Sequence, residues 1–213
     1  MLNVVLLLVG AYLLGSIPFS YIVVRLVTGK DVRQEGSGNV GATNALRTGG
    51  KLAGFLALLF DALKGVAAVF LARLLGASEP LFAAAAVAVV LGHMYPVFLG
   101  FHGGKGVATA AGALGSLRIL PFGLTLLTFL LVVKLSRWVS LGSIVAVCSF
   151  PFYMWLFGVL AWTAPPSPGL LISASSVVLL IVIKHAGNIR RLFDRTERRL
   201  GETPTPDERE AIV

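Results

Sequence analysis

"VATAAGALGSLRILPFGLTLLTFLLVV", residues 107–133, is the stretch that decides how this chain folds. It is apolar enough to enter a bilayer and carries a single charge, Arg118, followed closely by Pro121. About 20 apolar residues suffice for a helix to cross the ~30 Å hydrocarbon core of a membrane. The stretch therefore forms either one long span or two shorter helices that turn near Arg118. The charges around it discriminate between these two folds.

The composition of the whole chain indicates a membrane protein. Of its 213 residues, 56% are hydrophobic and 13% are charged, whereas soluble domains carry about 25% charged residues. We therefore expect a single polytopic membrane domain over residues 1–190 and a basic, polar cytoplasmic tail over residues 191–213. The net charge is +8, and seven of the eighteen Lys and Arg residues lie from Lys184 onward. That position favours contact with anionic membrane lipid, and we expect no nucleic-acid partner.

Five further segments are apolar enough to be full membrane spans: residues 2–24, 52–75, 81–101, 138–162 and 169–184. The first of them contains no charge and is followed by Arg25, Lys30 and Arg33. Because no basic residues precede it and no small-residue cleavage pattern follows it, we expect a retained span and not a signal peptide.

The basic residues between these segments predict which side of the membrane each connection faces, because Lys and Arg accumulate on the cytoplasmic side. The connections that carry Lys or Arg are predicted inside: residues 25–51, 102–106, 134–137 and the C-terminal tail. The two that carry none are predicted outside: residues 75–80 and 163–169. Both ends of residues 107–133 therefore lie on the same side, which a single span does not allow.

The chain is accordingly predicted to be an all-α membrane protein of about seven helices. Five are full spans, and two short helices, about 107–117 and 119–133, form a hairpin. The N-terminus is predicted outside and the C-terminus inside.

The first polar segment is "GSGNVGATN", residues 36–44, with an arginine shortly after it. Its glycines allow successive backbone N–H groups to converge on an anion, and its hydroxyl, amide and guanidinium groups add donors. We therefore expect substrate or phosphate binding here, although a flexible loop between helices would also be glycine-rich. The candidate residues are Ser37, Gly38, Asn39, Gly41, Thr43, Asn44 and Arg47.

The second polar segment is "GGKG", formed by Gly103, Gly104, Lys105 and Gly106. It does not fit the P-loop motif, which requires Ser or Thr directly after the lysine. Small residues nonetheless let a phosphate approach the backbone, and a helix that begins near residue 107 would offer its positive N-terminal end. The alternative is a lysine that extends to the membrane surface.

The third segment is "KHAGNIRRL", residues 184–192. His185 and Asn188 share a face if the preceding helix continues through them. Both are candidate ligand contacts, whereas a capped helix end with a basic lipid anchor is the structural alternative. Ser143, near the inner end of a span, is a further candidate that has no strong signal of its own.

Three ionisable residues lie within predicted spans: Asp61, Lys64 and His93. Charged groups inside a membrane are costly and are usually paired, so we expect these side chains to be structural or to support the site from behind. The single cysteine, Cys148, cannot form an internal disulfide. We expect no metal and no cofactor.

The motifs taken together resemble the bacterial integral-membrane acyl-phosphate:glycerol-3-phosphate acyltransferases. The resemblance covers nearly the whole chain and rests on "GSIPFSYIV", "GSGNVGATNALRTGGK", "FDALKG", "GHMYPVFLGFHGGKGVAT", "SLGSI" and "GNIRRL". It implies acyl transfer from acyl phosphate to the 1-position of glycerol 3-phosphate, which yields lysophosphatidic acid. Membrane lipid and an acyl-phosphate-producing enzyme are the implied partners. The implied location is the bacterial inner membrane, with the active site facing the cytoplasm.

The resemblance also implies roles for individual residues. Lys105, Ser143 and His185 match positions implied in catalysis, and substrate contacts are implied for Ser37, Thr43, Arg47, Lys105, Ser143, His185 and Asn188. The chain departs from the family pattern at His102, Ala186 and Arg195, which concerns the details of the C-terminal contacts.

The chemistry of an acyl phosphate suits such a site. It is a mixed anhydride with a good leaving group, so orientation and charge stabilisation can suffice, and we expect no acyl-enzyme. A substrate phosphate or His185 is expected to accept the hydroxyl proton. A small transporter of an anionic metabolite is the alternative function, and a scaffold protein would leave the glycines unexplained.

Overall fold

A computed structural model of the chain describes residues 2–202. All the regular secondary structure in this part is helical, as predicted. Its α-helices are α1 (Leu2–Ser16), α2 (Phe19–Thr28), α3 (Ala42–Leu74), α4 (Glu79–Met94), α5 (Val107–Leu117), α6 (Ile119–Ser136), α7 (Val139–Val159), α8 (Pro168–Lys184) and α9 (Ala186–Phe193). Short 3-10 turns occur at Val32–Gln34 and Val97–Leu99. The last part of the predicted tail, residues 203–213, lies outside the described residues.

The predicted hairpin is present. Helices α5 and α6 are joined through Arg118 alone, whose backbone is extended at φ −149° and ψ 99°. An Arg118 guanidinium nitrogen lies 2.6 Å from a Glu79 carboxylate oxygen, so the turn lies at the end of the bundle where α4 begins. The two helices then part, since α5 packs chiefly on α3 and α6 chiefly on α7.

The described residues contain nine α-helices instead of about seven, because the first predicted span is broken and an additional helix follows the last one. The first is interrupted between α1 and α2, where Pro18 cannot donate a backbone hydrogen bond. The last predicted span, residues 169–184, is α8, and the additional helix α9 follows it after a bend of 57° at His185. By length and composition, five spans between residues 2 and 159 can cross a membrane, and the bent pair α8–α9 gives a sixth. Helix α6 counts among these five, whereas α5 has only 11 residues.

Helix α3 is sharply kinked at Gly50, which has φ 76° and ψ −172°. The segment before the kink folds back, so that Leu46 packs against Gly54. This returns the polar loop that precedes α3 to the bundle, and it leaves residues 51–74 to form the span predicted at 52–75.

Pairs of glycines bring the central helices into backbone contact. Gly15 of α1 lies against the backbone of Val89 in α4, and Gly92 of α4 lies against the backbone of α1. In the same way Gly65 of α3 and Gly112 of α5 each lie against the other helix. Small residues allow such close packing where lipid offers no hydrophobic drive between helices. Helices α4 and α5 flank the GGKG segment. Each is therefore packed closely against a neighbour, α4 against α1 and α5 against α3.

Candidate active site

The GGKG segment folds back over the C-terminal end of α4. Gly103 N donates to Met94 O at 3.3 Å, and Gly104 N donates to His93 O at 3.2 Å. A Cβ atom at Gly104 would collide with His93 Nε2 on one side and with Val40 O on the other. Only glycine therefore fits at this position, and the two predicted glycine-rich segments meet there.

Five consecutive backbone N–H groups beyond this contact are free. Within residues 2–202, the N–H groups of residues 105–109 donate to no atom, and the first bonded amide of α5 is Ala110, 2.8 Å from Gly106 O. Gly106 adopts φ 78°, a left-handed conformation that turns the chain into α5. Unpaired N–H groups at a helix N-terminus form a site for an anion.

Lys105 lies half-buried beside these amides. Burial lowers its pKa to about 8, with a further lowering from Arg191 and Arg47 that the carboxylate of Glu197 opposes. Lys105 forms no ion pair with any residue that the structure describes. At neutral pH it is therefore a largely protonated cation without an anionic partner, next to free backbone donors. We refer to Lys105, Arg47, Arg191 and Glu197 as the basic cluster.

Glu197, which the sequence analysis did not single out, organises the inner end of this cluster. Its carboxylate accepts hydrogen bonds from Ser140 Oγ at 2.6 Å, Asn188 Nδ2 at 2.6 Å and Arg191 Nε at 2.8 Å. Burial alone would raise the pKa of Glu197, but these hydrogen bonds outweigh it and lower the pKa below its usual value. The charged carboxylate thus joins α7 and α9 from a segment that was predicted to be part of a polar tail.

Backbone contacts hold the segment around Glu197 in place. Trp138 Nε1 donates to Glu197 O at 3.0 Å, and Leu200 N donates to Arg137 O at 2.7 Å. The only sequence signal was a lone glutamate among arginines in "DRTERR", residues 194–199, a pattern that also fits a solvated tail.

His185 and Asn188 are both buried at the bend between α8 and α9. His185 Nδ1 lies 2.8 Å from Ile181 O and, since a carbonyl only accepts, carries the hydrogen, which leaves a lone pair on Nε2. Asn188 donates its Nδ2–H to Glu197, so its amide oxygen remains available as an acceptor. The two residues therefore offer one acceptor each, even though the helix does not continue straight through them.

Ser143 lies on α7 one turn beyond Ser140, the serine that binds Glu197. Its hydroxyl donates to Val139 O at 2.8 Å, and the side chain is buried. Helix α7 packs on both α8 and α9, so this face of α7 borders the bend that carries His185.

Asn44 holds the first glycine-rich loop together. Its amide donates to Val32 O and to Glu35 O, each at 2.9 Å, and accepts from Ser37 N at 3.0 Å. Both N–H donors are thereby used. The amide of Asn44 therefore holds its own loop together, and the ligand contact of Asn44 stays a prediction.

The remaining candidates of this loop stay open to a ligand. The hydroxyls of Ser37 and Thr43 make no hydrogen bond with any described side chain or backbone group. Gly38 takes φ 67°, and Asn39 packs its amide against Gly41. Arg47 lies within electrostatic range of Glu197 and Arg191.

The three ionisable residues predicted within spans form one cluster, which we call the buried triad: Asp61, Lys64 and His93. Lys64 Nζ lies 2.8 Å from Asp61 Oδ1 and donates to Ile17 O at 2.8 Å. His93 Nδ1 lies 3.4 Å from the same Asp61 oxygen, and Ser20 Oγ donates to Asp61 Oδ2 at 2.9 Å. Asp61 is 1% and Lys64 3% exposed, so this charge pair is removed from solvent.

The structure thus brings Arg47, Lys105, His185 and Asn188 to one end of the bundle, with Ser143 on the adjoining helix face. The buried triad lies directly behind the GGKG segment, through His93. Across residues 2–202, no three His, Cys, Asp or Glu side chains lie close enough together to hold a metal ion.

Comparison with known proteins identifies the family of this chain. The sequence model of the glycerol-3-phosphate acyltransferase family matches residues 5–195. A glycerol-3-phosphate acyltransferase of Desulforamulus reducens is 41% identical over 204 residues, which cover 96% of this chain and 98% of the relative. That of Methylococcus capsulatus is 46% identical over 197 residues, which cover 92% and 96% of the two chains.

Two crystal structures of PlsY (YgiH), an integral membrane glycerol 3-phosphate acyltransferase, share the fold. The glycerol 3-phosphate form has a TM-score of 0.84 and 40% identity, and it matches 93% of this chain and 96% of that one. The lysophosphatidic acid form has a TM-score of 0.80 and 39% identity over the same shares. This chain therefore belongs to the glycerol-3-phosphate acyltransferase family and is an integral membrane protein.

Proposed function

We propose that this protein transfers a fatty acyl group from acyl phosphate to the 1-hydroxyl of glycerol 3-phosphate, and releases lysophosphatidic acid and phosphate. The observation that carries the proposal is the run of free N–H groups at residues 105–109 beside the unpaired cation of Lys105. Such a site takes a phosphate, and both substrates bring one. The family and the solved relative in its glycerol 3-phosphate form support the choice of acceptor.

Two phosphates need two sets of donors, and the site offers both. Lys105 and the α5 amides form one set. Arg47, with the open hydroxyls of Ser37 and Thr43, forms the other across the Val40–Gly104 contact. A guanidinium binds phosphate through a planar pair of N–H groups, whereas an ammonium acts as a point charge.

The proposed reaction is a direct transfer. The 1-oxygen of glycerol 3-phosphate forms a bond to the acyl carbonyl carbon, and the bond from that carbon to the phosphate oxygen breaks. The hydroxyl proton passes to the departing phosphate or to His185, whose Nε2 lone pair is free because Nδ1–H donates to Ile181 O. Lys105 stabilises the negative charge that collects on the phosphate, and Ser143 and Asn188 orient the glycerol hydroxyls.

The test is a transfer assay on the purified protein. It is incubated in detergent with acyl phosphate and radiolabelled glycerol 3-phosphate, with acyl-CoA in a parallel reaction. We expect labelled lysophosphatidic acid with acyl phosphate and none with acyl-CoA alone. Sustained turnover with acyl-CoA, in a preparation free of other acyltransferases, would contradict the proposed donor.

Direct transfer is tested by the mass of the intact protein. After incubation with acyl phosphate alone, the mass should be unchanged, and Cys148→Ala should retain activity. An acyl adduct on any residue that forms and decays at the rate of turnover would overturn direct transfer.

We further propose that the site faces the cytoplasm from the inner membrane of a bacterium, where an acyl-phosphate-producing enzyme supplies the donor. Arg137, in the connection between α6 and α7, donates to the backbone oxygen of Leu200 in the C-terminal segment. Arg118, in the connection between α5 and α6, pairs with Glu79 at the start of α4. In a Cys148→Ala background, a cysteine at Ser136 should react with an impermeant thiol reagent only from the cytoplasm, and one at Ser167 only from outside. Labelling of the first from outside would reverse or refute this topology.

A further inference from the structure

The buried triad touches the proposed phosphate site at a single point, the ring of His93. One edge of that ring, Nδ1, faces Asp61 Oδ1 at 3.4 Å. The opposite edge, Nε2, lies against Gly104, so closely that a Cβ at that glycine would collide with it. His93 therefore spans from a buried carboxylate to the backbone of the residue before Lys105.

The carboxylate end of this contact is fixed from several helices. Asp61 on α3 accepts from Ser20 of α2 at 2.9 Å and pairs with Lys64 at 2.8 Å. Lys64 in turn donates to Ile17 O, at the break between α1 and α2. Because a carboxylate only accepts, we assign the hydrogen of the ring to Nδ1, which leaves the Nε2 lone pair towards the GGKG segment.

Burying these charges is costly, and apolar side chains of the same volume often stabilise a protein as well or better. Neighbouring helices are already held by the reciprocal glycine contacts of α1 with α4 and of α3 with α5. The triad instead joins α2, α3 and α4, through Ser20, Asp61 and His93. Besides this link, the triad provides a polar ring that lies against Gly104.

We propose that Asp61 and His93 form a positioning dyad, in which Asp61 fixes the ring of His93 and the ring sets the place of Gly104 and thereby of Lys105. The proposal rests on the phosphate-binding role of Lys105 given above. Neither residue of the dyad contacts a substrate. The dyad acts through the backbone of the GGKG segment, and a misplacement of about 1 Å can reduce a rate about 100-fold.

Two substitutions of His93 test the contacts of its Nδ1 and Nε2 edges separately. The amide of asparagine can replace Nδ1 towards Asp61 but does not reach Gly104, whereas the amide of glutamine can replace Nε2 at Gly104. We expect His93→Asn to reduce kcat/KM about 10- to 100-fold. His93→Gln should recover a large part of this loss.

The second readout is the titration of Lys105 itself, which a purely structural role would not change. Competitive labelling of amines across a pH series, followed by mass spectrometry, gives the pH midpoint of Lys105 in the intact protein. In wild type we expect a midpoint near 8, the pKa to which burial lowers this lysine. In His93→Asn the midpoint should rise by about one pH unit or more, towards the ordinary value for lysine, because Lys105 leaves its half-buried place.

A double variant covers the case in which a single change prevents folding. Asp61→Leu with Lys64→Met removes both charges together, replaces them with apolar side chains of similar shape and deprives His93 of the carboxylate. It should fold, yet show the same rise in the Lys105 midpoint and the same loss of kcat/KM. Thr125→Val is the matched control, since this threonine is as buried as His93 and its hydroxyl has no partner among the described residues. It should change neither quantity.

A Lys105 midpoint that stays at the wild-type value in both His93→Asn and the double variant would overturn the dyad, whatever their activity. Equal kcat/KM for His93→Asn and His93→Gln would overturn the role of the Nε2 edge. The labelling experiment does not depend on the acyl donor. A wild-type protein inactive with acyl phosphate would therefore refute the proposed function and leave the dyad to be decided by the midpoint.

Discussion

Two polar clusters within this membrane protein differ in how their charges are balanced. In the buried triad, Lys64 meets Asp61 at 2.8 Å, and the remaining Lys64 contact is a backbone carbonyl. In the basic cluster, Arg191 pairs with Glu197, whereas Lys105 and Arg47 have no ion pair in the part of the chain that the structure describes. In the first cluster, the charges of Lys64 and Asp61 therefore balance each other within the protein. In the second, Lys105, Arg47 and the N–H groups of residues 105–109 have no anionic partner or acceptor in the described residues.

Whether charges are paired within the protein distinguishes a structural cluster from a candidate functional one better than the mere presence of charged residues does. Both clusters lie at helices that enter a membrane, and both combine basic and acidic residues. A buried charge whose partners are all within the protein supports the fold or its neighbours. A partly buried cation beside N–H groups that have no acceptor in the described residues lacks an anion, and we propose that a substrate phosphate supplies it.

The largest effect is expected from removing one charge of the buried triad. Asp61→Asn leaves Lys64 buried without its counter-charge, which should lower the free energy of unfolding by about 3–5 kcal/mol. Asp61→Leu combined with Lys64→Met removes both charges and should cost clearly less. Denaturant unfolding in detergent measures both variants. If the double variant were the less stable of the two, the triad would not be a charge-balanced unit.

The basic cluster should respond in the opposite way, with a loss of activity at constant stability. A charge-assisted hydrogen bond contributes about 1.5–3 kcal/mol, so Lys105→Ala should reduce kcat/KM about 10- to 150-fold. Its free energy of unfolding should not fall, because Lys105 has no partner in the described protein to lose. Steady-state kinetics and unfolding on the same preparation test this. A destabilised but fully active variant would make Lys105 a structural residue.

A pH profile sharpens the same contrast. In the proposed site Lys105 binds phosphate in its protonated form, and burial lowers the pKa of Lys105 to about 8. As the pH rises through this value, kcat/KM should therefore fall, approaching about tenfold per pH unit. Lys105→Ala provides the control, since its profile should lack this limb. The same decline in the variant would assign the titration to another group.

The hairpin could be predicted because each full span takes the chain to the other side of the membrane. The loop charges place both ends of residues 107–133 on one side, which a single span does not allow. The motifs around Lys105 and Ser37 were visible because their residues are adjacent in sequence. Glu197 was not visible, since its contact with Ser140 joins residues 57 apart and forms only when the tail folds back.

Two other features depend on backbone conformation that the sequence leaves open. The sequence offers Gly49 and Gly50 without showing that Gly50 takes a positive φ and reverses the chain. The sequence likewise did not show that the amide of Asn44 donates within its own loop. A local motif thus identifies the segment, whereas the role of each residue depends on contacts that only the fold supplies.

The smallest effect is expected at the far end of the bundle. Arg118 and Glu79 form a partly exposed ion pair at 2.6 Å, and such pairs contribute about 1 kcal/mol or less. Arg118→Ala should therefore change the free energy of unfolding only slightly and leave kcat/KM within about twofold of wild type. Kinetics in detergent and in vesicles check this. A large loss of activity would mean that the turn of the hairpin is coupled to the site.

The kinetics of Lys105→Arg on folded protein test the central claim most directly. If Lys105 holds a phosphate in the narrow space between Gly104 and Gly106, the larger planar guanidinium should not replace it, although the charge is kept. We predict a fall in kcat/KM of at least about tenfold, with an unchanged free energy of unfolding. A kcat/KM close to that of wild type would contradict the account. It would place this lysine at the membrane surface and leave the free N–H groups of residues 105–109 without the phosphate proposed here.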